Sequence, residues 1–71
     1  MRIKMTETQF AALAQILRLR AGPAREAARL HFVNGLNVPE AARAGGIDYR
    51  LAAYSVKRVR AGLALAIAAT Q

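Results

Sequence analysis

Apolar residues recur at helical spacing along most of the chain, and no segment alternates apolar and polar positions as a half-buried strand would. Phe10, Leu13, Ala14 and Leu17 form one stripe behind a Thr6/Gln9 capping box, which predicts a first helix from about Glu7 to Arg20. Ala21 and Gly22 punctuate the pattern. Pro23 then suits the first turn of a second helix, whose inner side carries Ala24, Ala27, Ala28, Leu30 and Phe32 and which runs to about Val33 before Asn34 and Gly35 end it. Residues 1 to 5 read as a short basic arm that frays, with Arg2 and Lys4 within reach of a polyanion.

From Val38 to Val59 the chain reads VPEAARAGGIDYRLAAYSVKRV, a short helix, a glycine turn and a basic helix. Asn37 and Glu40 make a second capping box, and Pro39 sits in the first turn, where its missing N–H is harmless. Ala41 and Ala42 permit close helix contact. Gly45 and Gly46 end the short helix, because a left-handed residue there favours glycine. Ile47 is expected to anchor the turn and Asp48 to cap the next helix through its carboxylate. This is the sequence form of a helix-turn-helix. The last helix runs from Tyr49 to about Ala69, with Gly62 as a point of kinking or division. The expected fold is all-α, a small four- to five-helix bundle containing a helix-turn-helix, with residues 1–71 forming one domain and 62–71 a candidate dimerisation tail. Its expected core is Phe10, Leu13, Leu17, Phe32, Val33, Ile47, Leu51, Val56 and Val59.

Charge narrows the partner. Eleven Lys and Arg stand against four Asp and Glu, a net charge of +7. No acid follows Asp48, whereas Arg50, Lys57, Arg58 and Arg60 all do. A chain of 71 residues has room for one modest core, which leaves little for an enzyme with a closed cofactor pocket. A polyanion is the expected partner, and double-stranded DNA fits best because neutralised phosphates release condensed counterions. With no cysteine, neither a disulfide framework nor a thiolate zinc site supports the fold. His31, the only histidine, is expected to be structural. No metal and no cofactor are expected, and Ser55 with His31 lacks the acid and oxyanion loop that nucleophilic catalysis needs. Neither a secretory signal nor a membrane-spanning run is evident, so a cytoplasmic chain is expected.

In a helix-turn-helix the second helix lays its N-terminal part against base edges in the major groove. Tyr49, Arg50, Ala53, Tyr54 and Lys57 fall near one face of that helix and are the candidate base readers. Arg50 is suited to bidentate contact with guanine. Tyr54 can pack on a thymine methyl, although either tyrosine can instead serve the core. Arg43, Arg58 and Arg60 are candidate phosphate clamps, with plain solvation as the alternative. Solvation is the reading preferred for Arg18, Arg20, Arg25 and Arg29, since the first two helices usually lie farther from DNA.

TETQF at 6–10, AARLHFVNG at 27–35 and the motif continued by AYSVKRVRAGL to Leu63 together resemble the KorA/TrfB family of plasmid-encoded transcriptional repressors. The resemblance rests on the opening Thr-Glu-x-Gln-Phe, Val33-x-Gly35, Ala42, Gly46-Ile47 and Val56-x-Arg58-Val59. It implies a homodimeric, operator-binding repressor of plasmid or mobile-element genes, with a co-repressor protein as a further candidate partner. Members such as KorA carry a separate C-terminal dimerisation domain, whereas this chain stops at Gln71. At the base-facing positions it has Tyr49, Arg50 and Tyr54 where smaller or amide-bearing residues are the family's habit, so its operator need not be the family's. The apolar tail, with Leu63, Leu65 and Ile67, is the expected dimer contact. A competing class is a basic helical binder of membrane surfaces, which would have no need of the sharp Gly45-Gly46-Ile47-Asp48 turn between capped helices, or an interaction adaptor whose tail docks into another protein's groove.

Overall fold

A computed structural model describes residues 4–69 as four α-helices: α1 Glu7–Ile16, α2 Pro23–Phe32, α3 Val38–Gly45 and α4 Tyr49–Ala69. The fold is all-α, a compact four-helix bundle with no strand among the described residues.

Local chemistry accounts for the helix starts. Thr6 Oγ1 accepts from the Gln9 N–H at 3.1 Å while the Thr6 N–H donates to Gln9 Oε1 at 3.0 Å, and Asn37 and Glu40 repeat that exchange at 2.9 and 3.0 Å. Pro23 opens α2. Asp48 departs from expectation: its carboxylate makes no cap, and only its backbone carbonyl takes part, accepting from the Ala52 N–H at 3.1 Å.

Two helix ends share one geometry. At the end of α3, Gly46 is left-handed (φ +68°), its N–H donates to Arg43 O, and the Ile47 N–H donates to Ala42 O at 3.0 Å. At the end of α1, Arg18 takes the same conformation (φ +56°), donating to Gln15 O, while the Leu19 N–H donates to Ala14 O at 2.9 Å. The first helix therefore stops at Ile16 rather than Arg20. A turn residue without glycine left no mark in the sequence.

α2 packs on both α3 and α4, which also pack on each other, and α1 lies across α2 and α4. Phe10, Leu13, Ala14, Phe32, Val56 and Val59 form the main core, with Leu17, Val33 and Leu63 against its edge. A second cluster of Ala27, Ala41, Ala42 and Ala52, with Ile47 packed beside it, draws α2, α3 and α4 together. Phe32 and Val59 are the largest fully buried side chains, each stabilising the fold by about 1.5–3 kcal/mol.

Three expectations are corrected. Met5 is buried and its N–H donates to Phe32 O at 2.9 Å, so the basic arm is anchored by residue 5; Arg2 lies outside the described residues. Leu51 is 55% exposed, because the inward stripe of α4 runs through Ala52, Ser55, Val56, Val59 and Gly62. Ser55 takes the inner position by donating to Ala24 O at 2.9 Å. Gly62, finally, does not divide the helix: α4 continues to Ala69, and the missing side chain is filled by Leu17, whose Cδ1 would lie 2.7 Å from an added Cβ.

Candidate nucleic-acid interface

The turn Gly46-Ile47-Asp48 sets the site, since Ile47 is half-buried in the alanine cluster and α4 leaves from that point. At 100° per residue, Arg50 lies diametrically opposite the fully buried Val59. Arg50, Tyr54 and Lys57 are all exposed on that outer face, and Ala53 is half-buried beside them. Tyr54 is 65% and Tyr49 54% exposed, so neither serves the core. Tyr49 lies a quarter-turn or so around from Arg50 and shares a flank with Arg60.

The candidate clamps divide. Arg43 is exposed in the last turn of α3. Arg58 reaches back to α1, its Nη2 donating to Leu17 O at 3.0 Å. Arg60 turns to the other flank, with its guanidinium 3.4 Å from His31 Nε2 and 6.0 Å from the Phe32 ring centre. Guanidinium has only donors, so His31 Nε2 accepts and Nδ1 carries the proton given to Leu36 O at 2.8 Å. His31 is thus a buried structural residue that ties α2 to the loop before α3.

Where the acids go explains the field. Of the four acids, Glu7 and Glu26 both bind Arg29, Glu40 is held in its capping box, and Asp48 stands exposed just before α4 with no salt bridge among the described residues. The hydrogen bond from Arg29 holds the Glu26 carboxyl below its usual range, and those carboxylates raise the Arg29 guanidinium further. Among the described residues Arg29 alone forms salt bridges, which leaves every cation on α4 without an acidic partner.

One further assembly is formed by residues distant in the sequence. Arg18 and Arg20 from the α1–α2 turn, Arg25 from the first turn of α2, and Tyr54, Ser55 and Arg58 from α4 line an open cleft of about 290 Å³. The spread of these residues over the chain hid it, although three arginines within eight positions of a turn are a visible signal.

The expected dimer residues do not share one face. Leu63, half-buried against the core, and Ile67 line one groove with Met5, Leu13 and Ile16. Leu65, 72% exposed, lies roughly 160° around the helix from Ile67. No helix among the described residues is long and apolar enough to cross a membrane.

No family model, curated protein or solved structure matches this chain.

Proposed function

We propose that this chain is a sequence-specific DNA-binding protein, with α3, the Gly46 turn and α4 acting as a helix-turn-helix and α4 as its recognition helix. The observation that carries the reading is the outer face of α4: Arg50, Tyr54 and Lys57 stand exposed opposite the core, one turn beyond a glycine-capped bend, with no carboxylate paired to them. Arg50 reads guanine and Tyr54 packs on a neighbouring base, while Arg43 and Arg58 hold phosphates. Arg60 enters mainly through long-range attraction, because its guanidinium is turned toward His31.

One such face spans only a few base pairs, and two copies on a palindrome supply the rest. Ile16 and Ile67, apolar and exposed along one groove, support pairing of two copies through the end of α4. Occupation of an operator overlapping a promoter makes the protein a repressor, of the KorA/TrfB kind that its sequence resembles, acting on plasmid or mobile-element genes.

Selection of bound sequences from a random duplex pool tests this. A palindromic consensus is expected, and Arg50→Ala should relax it at one or two positions per half-site, each worth about 1–3 kcal/mol of discrimination. Recovery of no consensus, or an unaltered consensus from the variant, would overturn the assignment.

A further inference from the structure

The arginine cleft has features that solvation alone does not require. Arg18, Arg20, Arg25 and Arg58 come from three separate parts of the chain to one opening, and none has a carboxylate within salt-bridge distance. Four like charges brought together repel one another, a cost that a bound anion removes. Two of them are held in place: Arg58 donates to Leu17 O at 3.0 Å, and Arg25 Nη1 lies 3.5 Å from Leu19 O. Arg18 is the only non-glycine residue with positive φ among the described residues, and it lies at this opening. Such strain is tolerated where surrounding structure fixes it, and functional sites are where it gathers.

The start of α2 adds to the same field. Gly22 supplies no side-chain cap, and Ala24 and Arg25 of the first turn line the cleft, so the positive end of the helix adds to the guanidinium charge. The volume equals that of roughly ten waters, ample for a phosphate group and part of its hydration shell. It is open to solvent, with arginine stems, Leu19 and Ala24 forming much of its wall and four guanidinium-bearing side chains around it, unlike the enclosed pockets that hold small ligands. Tyr54 is common to the cleft wall and the outer face of α4, which makes the two surfaces continuous.

From this we infer that the cleft between the α1–α2 turn and α4 is a phosphodiester-binding site, which grips the duplex backbone beside the stretch read by Arg50 and Lys57. The inference rests on the DNA-binding reading and extends it to Arg18, Arg20 and Arg25. These residues fix the position of α4 in the groove and carry no sequence preference.

The test compares the intact chain, Arg20→Ala/Arg25→Ala, the charge-keeping Arg20→Lys/Arg25→Lys and Arg50→Ala. Each is titrated with its selected duplex and a scrambled one, both of about 20 bp, over a series of salt concentrations. The double alanine variant should bind both duplexes more weakly, with the slope of log K against log salt smaller by about 2. The double lysine variant should keep most of that slope, and matching melting curves show that the fold is retained. An unchanged slope in the alanine variant, with Arg50→Ala still losing its sequence preference, overturns the cleft and leaves the reading face standing. Failure of the intact chain to bind any duplex overturns both. Inorganic pyrophosphate supplies a last arm: shifts of the arginine Nε–H resonances with pyrophosphate but none with duplex overturn the backbone as the source of the phosphate.

Discussion

Replacing Gly46 with alanine isolates the backbone term at the bend from which α4 departs. Gly46 sits at φ +68° and ψ 32°, and an added Cβ meets nothing within 4 Å, so no steric clash with neighbours enters. What remains is the cost of a left-handed L-residue, about 1–2 kcal/mol. For a domain of this size each kcal/mol lowers the melting midpoint by roughly 4–8 °C. Arg18 occupies the equivalent place at the end of α1 with φ +56°, and Arg18→Gly relieves the same term. Its gain is at most about 1 kcal/mol, since glycine also gives the unfolded chain more freedom. Thermal unfolding followed by far-UV circular dichroism should therefore place Gly46→Ala below the parent and Arg18→Gly level with it or above. The reverse order, or a Gly46→Ala midpoint equal to the parent's, would refute the assignment of these two turns.

Other outcomes follow from packing and titration. Gly62→Ala should destabilise the parent, because its Cβ would lie 2.7, 2.8 and 3.1 Å from Leu17 Cδ1, Cδ2 and Cγ, and overpacking of that kind costs about 1–3 kcal/mol. In a Leu17→Ala background the same change should stabilise by up to about 1 kcal/mol through helix propensity; the same sign in both backgrounds would remove Leu17 as the cause. Glu26→Gln should lower the melting midpoint at neutral pH by a small amount, since an exposed ion pair contributes less than about 1 kcal/mol. The folded carboxyl of Glu26 lies below its ordinary value of 4.5, so its contribution is complete above that pH and is lost as pH falls through the folded value. The difference between parent and variant should accordingly close on acidification, and a difference that widens there would contradict the pairing.

The parts of the fold that were legible in the sequence are those written in local chemistry. Thr6 with Gln9, Asn37 with Glu40, and Pro23 each mark a helix start by a bond or a missing donor that depends on a few adjacent residues. Gly46 and Ile47 mark the bend for the same reason. The early end of α1 was not legible, because an arginine in a glycine's conformation carries no compositional signal. On α4 the inward positions Val56 and Val59 were legible, but Leu51 was not: Ser55 takes an inner place by donating to Ala24 O across two helices, and Leu51 stands outside. The exposure of Arg50, Tyr54 and Lys57 follows from spacing alone once Val59 is known to be buried. The arginine cleft depends on three distant segments meeting, and tertiary packing alone brings them together.

Whether the outer side of α4 lies along a duplex is read out by an NMR titration of the isotope-labelled chain with its selected duplex. Shifts should concentrate on Tyr49 to Arg58, with the side-chain resonances of Arg50 and Lys57 among the most affected and the groove at Ile16 and Ile67 unchanged by the duplex itself. Shifts confined to that groove, or none with duplex and strong ones with anionic vesicles, would contradict that placement of α4.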